Sequence, residues 1–153
     1  MKRILLVIIL SLAAHAAACA QERGNIAAGP KLGLYTRTGG GAVFGVGAEV
    51  RYNISDPLRV APSIVWLTRE GCTAEIACDW HYMFRVAPHW HLYPLAGISA
   101  NDFGRWTAGI DLGFGTDYAL GKHVDLTAQA KWMVQCSEMK SPLVIFAGLM
   151  FRF

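Results

Sequence analysis

The sequence "HWHLYP" sets His89 and His91 two residues apart, and Asp117 ends a later segment, "GFGTDY". Two histidines at i and i+2 on a strand share a face, and with a carboxylate they make a transition-metal ligand set. Histidines beside a tryptophan at a strand end are more often interfacial side chains, and no metal is assigned. Hydrolytic chemistry at a lipid surface needs a Ser or Cys nucleophile within reach of a His base. Ser63 and His81 are the pair that alternation turns to one side. Ser99, Ser137 and Ser141 fall in or near loops with no histidine in sequence reach, and no G-x-S-x-G occurs. "TRTGGGA" lacks the Lys-Ser/Thr and the following helix of a phosphate loop and reads as a hairpin tip. Cys72 and Cys78 are near enough in sequence to bridge a loop, a disulfide left open here. Cys136 is then unpaired, and no C-x-x-C supports zinc or thiol redox chemistry. The chain is read as a non-enzyme without a cofactor.

What remains is charge at regular spacing. Lys31, Glu49, Arg51, Arg59, Asp79, Arg85, Asp111, Asp117, Asp125, Lys131 and Arg152 recur on one side of segments that alternate apolar and polar residues. Alternation with a period of two is the signature of strands with one apolar face. About eight such segments fill the chain: 27–37, 43–53, 57–68, 75–86, 89–100, 105–118, 123–134 and 143–153. In the seventh, Val124, Leu126, Ala128, Ala130, Trp132 and Val134 point one way, and Asp125, Thr127, Gln129 and Lys131 the other. Pro62 and Pro94 lack the ladder donor, so a bulge or break is expected there.

The connectors alternate as well. "ISDP", "AP" and "ALGK" are short; "TGGG", "REGCTA", "NDFG" and "CSEMKSP" are mostly longer. Each segment is near the 9–11 residues that a tilted membrane strand requires, and the short–long rhythm is that of a barrel with short turns at one end and loops at the other. A soluble barrel or a two-sheet sandwich shares the period, with its apolar face inward. Three features favour the membrane. Tyr52, Trp66, Trp80, Phe84, Trp90, Trp106, Tyr118, Trp132, Phe151 and Phe153 gather near strand ends on the apolar face, where interfacial girdles belong. The polar face carries full charges, which an apolar ligand cavity would not tolerate. The chain also finishes on an apolar strand ending in Phe153. An eight-stranded barrel is only wide enough for side chains to fill. The interior is therefore expected to be a plugged lattice of ion pairs, with a gated ion path as the alternative. Arg69, Glu70, Glu75, Asp102, Arg105, Glu138 and Lys140 are assigned to the loop rim.

The first twenty residues read as a cleaved secretory signal. Lys2 and Arg3 precede an apolar run, and Ala18-Cys19-Ala20 fits a cleavage site before Gln21. A lipidated Cys19 is the rival reading. The formal charge of +3 includes Lys2 and Arg3, so residues 21–153 are close to neutral and form one domain without a basic field for nucleic acid.

"GAVFGVGAEVRYNISDPLRVAPS", "HLYPLAGIS" and "LVIFAGLMFRF" resemble small eight-stranded outer-membrane β-barrel proteins of the OmpA-barrel, OmpX and Ail type. The resemblance covers essentially all of residues 21–153. It implies an all-β, antiparallel, up-and-down transmembrane barrel in the outer membrane of a Gram-negative bacterium. It further implies contact with outer-membrane lipids and lipopolysaccharide, and a monomer with a role in envelope structure or surface interaction. In this family the terminal aromatic strand is read by the barrel assembly machinery. Here that role falls on Leu149, Phe151 and Phe153. The alternatives within the same fold are a narrow channel and a lipid-modifying enzyme.

Overall fold

The computed structural model describes residues 24–136 and 140–153. The signal sequence, Cys19, Ser137 and Glu138 lie outside the described residues. The strands are β1 (Ile26–Thr36), β2 (Val43–Asn53), β3 (Leu58–Leu67), β4 (Ala74–Tyr82), β5 (Phe84–Ala87), β6 (Trp90–Asp102), β7 (Trp106–Ala119), β8 (Val124–Gln135) and β9 (Leu143–Arg152). Neighbouring strands are antiparallel throughout, β9 returns to β1, and β4 pairs with β6. The sheet therefore closes on itself, and among the described residues only the short β5 keeps one edge unpaired. Because β5 continues β4 past Met83 against the same partner, the barrel has eight staves rather than nine.

Closure turns the pleat into an inside and an outside. In β2, Val43, Gly45, Gly47, Glu49, Arg51 and Asn53 are buried, while Phe44, Val46, Ala48, Val50 and Tyr52 are exposed. β8 buries Asp125, Thr127, Gln129, Lys131, Met133 and Gln135 and exposes Leu126, Ala128, Trp132 and Val134. The outer surface is thus apolar and the bore is charged, the inverse of a water-soluble barrel. Two aromatic belts bound the apolar band: Trp66, Trp106 and Trp132 toward the longer loops, and Tyr52, Trp80, Trp90, Tyr118 and Phe151 toward the short turns. That is the distribution of side chains at two membrane–water interfaces.

The prolines are accommodated without slipping the register. Pro62 faces Cys78 in the intact β3–β4 ladder, while pairing with β2 lapses between Ser63 and Val60 and resumes in the same register. Pro94 faces Phe114 in the unbroken β6–β7 ladder. On its other side the pairing stops after Leu95 and restarts at Leu92, and this is where the fourth stave divides into β4 and β5. A missing N–H thus costs bonds on one flank only. The register shift itself lies elsewhere, between Arg85 and Ala87.

Candidate functional site

The bore holds the polar groups that alternation directs inward. Near its middle, Glu49 and Asp117 anchor three cations. Arg51 donates through Nη1 to both carboxylate oxygens of Asp117, at 2.9 and 3.0 Å, and through Nε to Glu49. Its Nη2 donates to Thr127 Oγ1 at 2.8 Å. Arg59 Nη1 reaches Asp117 Oδ2 at 2.7 Å and its Nε reaches Asn53 Oδ1 at 3.1 Å. Lys31 Nζ donates to Glu49 Oε2 at 3.1 Å and to Ser63 Oγ at 2.9 Å. Charge-assisted hydrogen bonds of this kind are about twice as strong as neutral ones. Tyr93 stacks on His81, with ring centroids 4.5 Å apart, and its hydroxyl joins the same cluster.

A second layer centres on Lys131. Its ammonium sits among three carboxylates, hydrogen-bonded to Asp111 at 2.8 Å and Asp79 at 3.3 Å and ion-paired with Glu75 at 2.9 Å. Ser99 Oγ donates to Asp111 Oδ1 at 2.7 Å. Above this layer, toward the longer loops, the bore closes on an apolar plug of Tyr35, Val43, Val65, Leu67, Phe103, Met133, Val144 and Phe146. Glycine makes room where a long side chain must lie flat. A Cβ on Gly115 would stand 2.5 Å from the Tyr93 ring, and one on Gly97 would stand 2.1 Å from Asp79 Oδ1.

At the opposite end the bore is open. A cavity of about 440 Å³ is lined by Arg51 and Arg59 on its floor and by Arg85, His91, Lys122, His123, Asp125 and Arg152 around its wall. Arg152 spans its rim, donating to Asp125 Oδ1 at 3.1 Å and to the Gly121 carbonyl at 2.7 Å.

Of the eleven residues that alternation assigned to the interior network, the structure brings Lys31, Glu49, Arg51, Arg59 and Asp117 into one layer and Asp79, Asp111 and Lys131 into the other. Asp125 and Arg152 pair at the open mouth. Arg85 keeps the inward parity, pairing with His91 in the same register as His81 with Leu95, but it lies at the open mouth, where it is exposed at the cavity rim and apart from the two buried layers. Glu75 is the converse. Assigned to the rim, it is fully buried against Lys131, since β4 begins one residue earlier, at Ala74. Ser99 likewise lies inside β6 rather than near a loop. Gln129, Thr127 and Tyr93 completed the network unannounced, although the period placed Thr127 and Gln129 on the correct face.

The Cys72–Cys78 bridge does not form; both thiols are free. Cys72 packs beside the apolar plug, whereas Cys78 lies four residues into extended β4 and pairs with Pro62. Four residues of strand span about 13 Å, twice the reach of a disulfide. Ser63 and His81 make no nucleophile–base pair: the Ser63 hydroxyl is engaged by Lys31, and neither ring nitrogen of His81 has a hydrogen-bond partner. His89 is exposed in the turn before β6 while His91 faces the cavity. Among the described residues no three His, Cys, Asp or Glu side chains are grouped as a metal site. Leu149, Phe151 and Phe153 all lie exposed on the outer face at the end of β9.

No protein-family model matches the chain, and no curated protein matches it by sequence. Solved structures do match. The N-terminal β-barrel domain of Pseudomonas aeruginosa OprF superposes with a TM-score of 0.73 at 14% identity, over 87% of this chain and 100% of that one. Neisserial surface protein A gives 0.59 at 19% identity, over 84% and 96%. Ail, the attachment invasion locus protein of Yersinia pestis, gives 0.53 at 16% identity, over 86% and 100%. Identities this low carry the architecture and nothing finer. With the closed sheet, the apolar exterior, the paired aromatic belts and the charged bore, they establish that this chain has the fold of the small eight-stranded outer-membrane β-barrel proteins.

Proposed function

We propose that the chain is an integral outer-membrane protein with a non-enzymatic role in envelope structure or surface interaction, and that its bore does not conduct. The observation that carries this reading is the filling of the barrel. Two layers of ion pairs cross the bore, and an apolar plug closes it toward the loops. An ion entering from the open end would meet Arg51 and Asp117 already bound to each other, then Lys131 held by three carboxylates, then a plug of apolar side chains and the ring of Tyr35, too few polar groups to replace its hydration shell. The surface presented by the loops is short and of mixed charge: Arg69, Glu70, Asp102, Arg105 and Lys140 stand there. Such a rim fits lipopolysaccharide phosphates. Leu149, Phe151 and Phe153, projecting outward from the closing strand, are available to be read by the barrel assembly machinery before the barrel shuts. The protein acts as a monomer in this reading, since closure leaves no long sheet edge to pair with another copy.

Single-channel recording from the purified barrel in a planar bilayer tests the reading. A silent bilayer is expected. Discrete ion steps that disappear when Arg51 or Asp111 is neutralised would show that the ion pairs exchange partners to open a path, and the barrel would then be a narrow channel. Lipid A from cells with and without the protein is expected to carry the same acyl chains; a changed pattern would make it a lipid-modifying enzyme.

A further inference from the structure

The open end of the barrel has chemistry that a filled bore does not require. Its cavity of about 440 Å³ is lined by Arg51, Arg59, Arg85, Arg152 and Lys122, together with His91 and His123, against the single carboxylate side chain of Asp125. Asp117 and Glu49, the carboxylates that answer Arg51 and Arg59, lie behind those guanidinium groups, outside the cavity lining. Arg59 is fixed by Asn53 as well as Asp117, and Arg152 by Asp125 and the Gly121 carbonyl. Arg51, Arg59 and Arg152 are therefore held in place by the folded barrel, so little ordering of them remains to be done when a ligand arrives. A volume in this range is that of a small-molecule site. Walls of low dielectric focus the field of clustered like charges into the space between them.

We propose that this cup is a binding site for a small polyanion presenting phosphate or carboxylate oxygens to the arginines. The two shallow cations, Arg85 and Lys122, meet the anion first; Arg51 and Arg59 set the potential at the floor. Two sources share this chemistry, a freely diffusing anion and an anionic lipid headgroup folded over the rim beside Phe153.

The test uses the folded protein in nanodiscs of zwitterionic lipid, with inorganic pyrophosphate as the probe and amide resonances as the readout. Saturable shifts are expected at His91, Lys122 and His123, with none at the loop end near Phe103. Raising the ionic strength should weaken them, because the site is partly solvated. The double variant Arg85→Gln, Lys122→Gln alters exposed residues outside the two buried layers, so the barrel should still fold, checked by its mobility before and after boiling. Its affinity for pyrophosphate should fall about tenfold. Repeating the titration with anionic lipid in the same discs separates the sources. Competition assigns the cup to a headgroup, and unchanged affinity assigns it to a soluble anion. Shifts that do not saturate, or that persist undiminished in the double variant, would overturn the proposal.

Discussion

At the scale of single residues, the bore shows how charge survives away from water. Lys131 is fully buried, and its charge is answered by three carboxylates within 3.3 Å. Breaking a buried ion pair from one side is far costlier than the pair is worth, because the partner is left uncompensated. Lys131→Met should therefore destabilise the barrel by about 3–5 kcal/mol in urea unfolding from lipid vesicles. Asp125→Asn, at the wetter mouth, should cost no more than about 1 kcal/mol. Equal losses would mean that the deep layer is hydrated and screened like the mouth. Gly115 offers a steric counterpart. A Cβ there meets the Tyr93 ring at 2.5 Å, and that ring is packed against His81 and hydrogen-bonded into the arginine layer. Gly115→Val should lower the urea midpoint, and Tyr93→Ala in the same chain should recover part of the loss by vacating the space. A double variant no better than Gly115→Val alone would place the strain elsewhere.

At the scale of elements, the weak place is the fourth stave. Pro94 supplies no donor toward it, β4 ends at Tyr82, and β5 is only four residues long with a shifted register. Local stability follows the density of paired backbone groups. Hydrogen exchange in residues 84–88 should be faster than at the centres of β7 and β8, whose ladder runs unbroken from Gly109 to Ala119. Uniform protection around the barrel would refute this ranking. Alternation through 75–86 put Arg85 inside with His81 and Met83, and the parity holds across the break, because Phe84 and Arg85 continue on Leu92 and His91 the register that pairs His81 with Leu95. Periodicity does not show that this residue lies at the open end, where Arg85 stands at the mouth of the basic cup.

For the whole molecule, inside and outside are exchanged relative to a soluble barrel. All five tryptophans lie on the apolar exterior. Lipids brominated on their acyl chains should quench most of the tryptophan fluorescence, and aqueous iodide very little. The opposite result would reverse the assignment of the two faces. Removal of the terminal aromatic tests a different stage. Phe153 is 82% exposed and contributes little packing, so Phe153→Ser should leave the urea midpoint nearly unchanged while slowing insertion by the assembly machinery. A large stability loss with normal insertion would make Phe153 a structural residue and not a signal.

The sequence by itself determined the strands and their faces. Period two is a local property: a side chain's side of the sheet follows from counting along the backbone, and one apolar and one charged face of eight staves leave a closed barrel in lipid as the solution that buries every backbone donor. Lys31, Glu49, Arg51, Arg59, Asp79, Asp111, Asp117 and Lys131 were legible as inward for that reason. Only the tertiary structure decided who pairs with whom. Arg51 and Asp117 stand 66 residues apart, and Lys131 gathers carboxylates from β4 and β7, because barrel closure and stagger bring together levels that no count along one strand relates. The positions of Glu75 and Arg85, the separation of Cys72 from Cys78, the apolar plug at one end and the basic cup at the other depend on where ladders begin, lapse and shift. Those are set by partners across the sheet, so the sequence carries them only once the barrel has closed.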